Sequence, residues 1–139
     1  MVYFGGPRMS QFSVGQELPS TTYIVNRALL LGYANASGDQ NPIHQDEAFA
    51  QSVGLENVIA HGMFTMALAG RYASSLSEKV TALSCKFLKP VAVPAGIDVE
   101  VVISGKVSAV EGSSVKIDLT ATCGDAKVLG MAKATITAS

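Results

Sequence analysis

An α+β domain, with an antiparallel sheet wrapped on one buried helix, is what this 139-residue sequence predicts. Three observations carry that expectation. The chain changes texture near Leu76, helix-like with loops before it and strand after strand from Val80 onward. The stretch GMFTMALAGRYASSL, from Gly62 to Leu76, is apolar over most of its circumference, which marks a helix buried among other elements. The C-terminal half alternates with a period of two: Val99, Val101 and Ile103, then Val115, Ile117 and Leu119, and less strictly Met131, Ala134 and Ile136. Elements that segregate along the chain in this way belong to α+β domains.

The elements follow in order. Residues 1–8, MVYFGGPR, read as a disordered or artificially appended leader before a single domain over residues 9–139. They lack the charged and apolar regions of a secretory signal. Residues 11–23 read as a short edge segment in which Pro19 limits the ladder. Asn26 suits the N-cap of a first helix through Leu30 and Ala34, closing near Ser37 with Gly38 at its C-terminal cap. Pro42 disfavours helical geometry at Asn41, so SGDQNP cannot continue that helix. Asp46 caps a second, short helix, DEAFAQSV, with Gly54 as its stop. The third helix starts near Gly62, and its small residues Ala67, Ala69 and Gly70 allow close packing. Turn signals at residues 90–96, at Glu111, Gly112 and Ser113, and at Cys123, Gly124 and Asp125 separate four strands, expected as a meander.

Composition narrows the function. Net charge is −1, and no run of Lys or Arg appears, which argues against nucleic acid and anionic membrane as partners. The apolar run at residues 58–69 is broken by His61, Gly62 and Thr65 and is too short to span a bilayer. Cys85 and Cys123 lack metal-site spacing and read as small buried hydrophobes in a reducing compartment. A soluble cytoplasmic domain is expected.

Against 48% hydrophobic and 15% charged residues, one loop stands out: SGDQNPIHQD, residues 37–46. A tight Asn-Pro turn separates Asp39 from His44, so both side chains can face one side of the loop. An acid beside an imidazole fixes its tautomer, and either group can move a proton, which suits adding or removing water. The plainer reading keeps Asp39 as a turn cap and His44 as a satisfied histidine. A nucleophilic triad through Ser37 is less economical, because no G-x-S-x-G elbow exists. The second feature is Ala60-His61-Gly62-Met63 at the mouth of the buried helix. A free amide on a glycine at a helix N-terminus is an anion site, and aimed at a carbonyl it stabilises a forming enolate. His61 itself reads as structural, bonding backbone near the helix start.

The pattern Tyr33-x-x-x-Ser37-Gly38-Asp39-x-Asn41-Pro42-Ile43-His44-x-Asp46, followed by Ala60-His61-Gly62-Met63, resembles the hydratase motif of MaoC-like, (R)-specific enoyl-thioester hydratases and dehydratases. Within that family the chain is most similar to the B subunits of actinobacterial β-hydroxyacyl-ACP dehydratases. The resemblance runs over nearly all of residues 9–139. It implies a hot-dog fold, a long central helix wrapped by an antiparallel sheet, and dimers whose acyl tunnel lies near the interface. It places catalysis on Asp39 and His44, with either as the base, the oxyanion amide on Gly62, and supporting roles on Ser37, Asn41 and His61. The reaction it implies is hydration of trans-2-enoyl thioesters, or its reverse, in fatty acid (including mycolic acid) metabolism, with no metal or redox cofactor.

Ile43, Phe49, Val53, Met63, Phe64 and Met66 are the residues expected to line an acyl tunnel, although each also suits ordinary core packing. The thioester carrier is CoA or acyl carrier protein, with Arg71, Lys86 and Lys89 as basic residues available to meet it. The partner is a second copy or a related hot-dog subunit. Two rival readings share the architecture: an acyl thioesterase, and a non-catalytic subunit completing the tunnel of a sister chain.

Overall fold

The structure, a computed structural model, describes residues 12–138; the expected leader and the start of the edge segment lie outside them. In chain order the elements are β1 (Glu17–Val25), α1 (Arg27–Ser37), a 3₁₀ turn (Pro42–His44), α2 (Glu47–Ser52), α3 (Gly62–Leu76), β2 (Lys79–Phe87), β3 (Val99–Glu111), β4 (Ser114–Cys123) and β5 (Ala126–Thr137).

Local chemistry sets the helix ends. The Asn26 carboxamide oxygen accepts the Leu29 N–H at 3.0 Å and opens α1. Gly38, at φ 82°, closes it with its N–H on the Ala34 carbonyl, a left-handed cap that glycine adopts without strain. Asp46 caps α2 through the Phe49 N–H at 3.1 Å. Gly112 and Gly124, at φ 59° and 60°, turn β3 into β4 and β4 into β5.

All strand pairs are antiparallel, in the order β1-β3-β4-β5-β2. The expected four-strand meander is therefore corrected. Only β3, β4 and β5 are sequential neighbours, while β2 runs along the outer side of β5, starting with Lys79 opposite Thr137. Alternation identifies strands but says nothing of their neighbours. The turn from α3 into β2 is short, so β2 must lie beside the helix, and residues 88–98 carry the chain back to β3. β1 is the opposite edge, and its register shifts between Leu18 and Thr21, where Pro19 cannot donate to the ladder.

The sheet's inner face and α3 form the core. Val101 and Ile103, Val115 and Ile117, and Ala134 and Ile136 meet Leu68, Ala69, Tyr72, Ala73 and Leu76 of the helix. Each fully buried large aliphatic contributes about 1.5–3 kcal/mol. Gly105 allows the close approach: a Cβ there would fall 2.9 Å from Ile117 and 3.3 Å from Tyr72. Met131 does not join the inner face. It is 65% exposed with φ 45°, and the β4–β5 register is irregular near Leu119 and Ala121, so the phase set by buried Val128 resets before Ala132. The helix departs from expectation too. Within one protomer α3 buries one side only, leaving Met63, Ala67 and Ser74 in solvent. Cys85 and Cys123 are free and half-buried, and burial raises both thiol pKa values. Among the described residues no helix is long and apolar enough to cross a membrane.

Candidate active site

The loop between α1 and α2 is shaped by its own short polar side chains. Ser37 Oγ accepts the Asp39 N–H at 3.1 Å, Asp39 Oδ1 the Asn41 N–H at 3.2 Å, and Asn41 Oδ1 the Ile43 N–H at 3.1 Å. Asx-type bonds of this kind replace the helical ladder that Pro42 interrupts. The turn-cap reading of Asp39 thus accounts for one carboxylate oxygen and leaves the other available.

An extended segment, residues 58–60, ties this loop to the crossover that follows β2. On one side the Ile59 N–H donates to the Ile43 carbonyl at 3.2 Å. On the other, the Ala60 N–H donates to Val91 O at 2.9 Å and the Val93 N–H to Val58 O at 2.8 Å. The same segment orients His44, whose Nδ1 lies 2.7 Å from the Ile59 carbonyl. A carbonyl only accepts, so Nδ1 carries the proton and Nε2 keeps its lone pair. His44 is 7% exposed. Burial pushes its pKa below the usual histidine value, and the neighbouring His61 adds to that lowering. The Ile59 carbonyl and Asp39 pull the other way.

Asp39, His44 and His61 each bring one polar atom within 4.8 Å of the others. Asp39 is exposed and both histidines are buried. The two imidazoles stack, with centroids 3.8 Å apart and planes 22° apart. Nearly parallel rings cannot both aim in-plane lone pairs at one ion at a bond length of about 2.1 Å. The two stacked rings therefore do not suit joint chelation.

His61 bonds main chain, but at a residue far from its own helix in sequence. Its side chain makes no cap at the start of α3. Instead Nε2–H donates 3.1 Å across to the main-chain carbonyl of Asp39, tying the loop between α1 and α2 to the helix start. The Gly62 amide that follows is in the first turn of α3, where helix geometry supplies no internal acceptor.

A cavity of about 460 Å³ opens at this point, a volume suited to a small ligand. Its walls include Ile43, His44, Ile59, Ala60, Gly62, Thr65 and the run Phe87, Leu88, Lys89, Pro90, Val91, with Val128 behind. Of the six residues expected to line an acyl tunnel, Ile43 alone lines this cavity. Phe49, Val53 and Met63 point to solvent, Phe64 packs edge-on against Tyr33 at 5.4 Å, and Met66 is half-buried along α3. Asp39 stands beside His44 rather than in the cavity wall. The missed wall, Phe87 to Val91, follows β2 and meets the loop only through the tertiary fold.

Comparison with known proteins agrees with this architecture. The 3-hydroxyacyl-thioester dehydratase X of Mycobacterium tuberculosis is 36% identical over 77 residues, 55% of this chain and 28% of that protein. A solved MaoC-like dehydratase superposes with a TM-score of 0.92 at 33% identity, over 97% of this chain and 43% of that one. This chain therefore spans less than half the length of either. Two structures below 25% identity share the fold. An (R)-hydratase of A. caviae involved in PHA biosynthesis has a TM-score of 0.81 at 24%, covering 93% of this chain and 98% of that one. The ChsH1-ChsH2 complex of Mycobacterium tuberculosis has 0.81 at 17%, covering 91% and 98%. The fold is hot-dog. The family described as MaoC like domain matches residues 11–124, to just past the end of β4, and the chain belongs to it.

Proposed function

We propose that the chain hydrates trans-2-enoyl thioesters and, in reverse, dehydrates (R)-3-hydroxyacyl thioesters in fatty acid metabolism. One observation carries this reading: a neutral, buried His44 with a free Nε2 lines one apolar cavity together with the Gly62 helix terminus, and Asp39 stands next to that imidazole. The names of the dehydratase and hydratase relatives support it.

In the hydration direction the Gly62 N–H donates to the thioester carbonyl and stabilises the enolate as it forms. A water bridges Asp39 and His44 Nε2. Both are acceptors, so they engage the two hydrogens of the water and leave an oxygen lone pair facing C3. Asp39 accepts one proton as the C3–O bond forms. The pair then returns that proton to C2 through His44, so that one water is added in total. This chemistry draws on these side chains and one amide, with no group beyond the chain and the water.

We also infer that the working unit is a dimer, with a second copy or a related hot-dog subunit. β2 is an open sheet edge, and Phe87, Leu88 and Met63 beside the cavity are each more than half exposed. Open edges and apolar patches of this kind are ordinarily covered. Lys89, in the cavity wall, suits the phosphate of a CoA or acyl carrier protein thioester.

The test uses the purified chain with trans-2-butenoyl-CoA and a long-chain enoyl thioester, following loss of the conjugated double bond and release of thiol separately. Loss of the double bond without thiol is expected. Asp39→Asn and His44→Ala should each lower turnover by about 10²-fold or more with melting unchanged. Thiol release with the double bond retained would establish a thioesterase instead. Turnover that appears only when a sister subunit is added would identify the heterodimer as the active form.

A further inference from the structure

Among the buried polar groups, His61 stands apart. Its side chain is 1% exposed, and among the described residues its Nδ1 has no hydrogen-bond partner. An orphaned buried acceptor costs about 1–3 kcal/mol, so the ring is held there against its own solvation. Its other contacts say what holds it. Nε2–H donates to the Asp39 carbonyl, one face stacks on His44 at 3.8 Å, and Tyr33 packs at 4.8 Å. Tyr33 in turn meets Phe64, which fixes the ring from α1 and from α3.

We propose that His61 is a positioning residue that joins the main chain of Asp39 to the ring of His44, so that the two reacting groups keep one mutual geometry. Asp39 is exposed, and the other bonds of its own stretch, residues 37–41, are local, within residues 34–45, while the ties to Ile59 come later in the loop at Ile43 and His44. The His61 bond ties its backbone to the start of α3, and through it to Gly62. The same stack opposes a proton on His44, since the His61 ring covers one face of the imidazole and keeps water from its charged form. The other charged groups near His44 are Asp39, which favours the proton, Lys89 across the main cavity, and Arg27 across a smaller one. Arg27 is itself paired with Glu47 at 3.4 Å.

This inference rests on the hydratase reading for its kinetic arm but not for its spectroscopic one. His61→Phe keeps a stacking ring and removes the donor, whereas His61→Gln keeps a donor able to reach the Asp39 carbonyl and removes the ring. With trans-2-butenoyl-CoA, His61→Phe should lower kcat by about 10-fold or more while KM stays within about threefold, and His61→Gln should recover most of that loss. The two histidines are the only ones in the chain, so imidazole NMR resolves each ring. In His61→Gln the His44 titration should move to higher pH, and the acid limb of kcat/KM should move with it. Equal impairment of both variants, or unchanged kcat in a folded His61→Phe, overturns the proposal. So does a His44 titration unmoved in His61→Gln, even if the chain proves to have no hydratase activity. Should His61→Phe not fold, His61→Gln alone decides through its titration.

Discussion

The two ends of α3 carry similar small and apolar residues and are used in opposite ways. Its last two turns set Leu68, Ala69, Tyr72, Ala73 and Leu76 against the sheet, all buried. Its first turn leaves Gly62 and Met63 in solvent, Phe64 half-covered, and only Thr65 buried, with the amides lacking a side-chain cap. One end of the helix contributes burial energy. The other forgoes a cap, ordinarily a gain of about 1 kcal/mol, and so leaves its N–H groups for a ligand. A helix divided in this way predicts that substitutions at its two ends separate stability from turnover.

The largest effect should come from the buried end. Tyr72 is 1% exposed, lies over Gly105, and donates its hydroxyl to the Pro19 carbonyl at 2.7 Å. Tyr72→Ala leaves a cavity, an unpaired carbonyl and a loosened β1 edge, and should cost about 3–5 kcal/mol in urea unfolding. A loss below about 1 kcal/mol would mean that the helix and sheet are not packed as described.

Next comes the open end. Gly62→Pro deletes the amide while keeping the helix, because proline is well suited to the first helical position. His61, at φ −57° and ψ 138°, already has the backbone geometry that a following proline requires. The Phe87 ring, 3.3 Å from a Cβ at this site, must shift slightly, and its exposed edge gives it room. Turnover should fall by about 10²–10³-fold with melting nearly unchanged, whereas Gly62→Ala, which keeps the N–H, should fall far less. Equal turnover in Pro and Ala variants would remove the amide from the reaction.

The same division explains how much could be read from the sequence. The buried end and its sheet were legible, because alternation and all-round apolarity report burial directly, and Asn26, Asp46, Gly38 and Gly124 announce caps and turns by local chemistry. The loop holding Asp39 and His44 was legible for the same reason, as its polar residues have local structural roles. Partners distant in sequence were not. Nothing local links His61 to Asp39, or Phe87 and Leu88 to the cavity, since those contacts exist only after β2 has crossed to β5. Met131 was misread because a bulge at Gly130 and Met131 resets the two-residue period, and the lone glycine inside the strand was the signal for it.

The smallest effect lies beside the open end, at His44, in the pH dependence of stability. Burial, with a further contribution from His61, holds the folded His44 pKa below the value of about 6.5 expected in the unfolded chain. Below that value the unfolded state binds the proton more readily, so stability falls as pH falls. Above it both states are neutral at this ring and the contribution is complete. Carboxylates also titrate as acid is added, which obscures the effect in the wild type alone. The measurement is therefore the difference in melting temperature between wild type and His44→Gln, followed from pH 8 to pH 5. Wild type should lose ground relative to the variant below about pH 6.5, because only it has an imidazole whose burial resists the proton. Parallel curves would mean that His44 takes up its proton as easily folded as unfolded. The burial of His44 would then not be what keeps it a neutral acceptor.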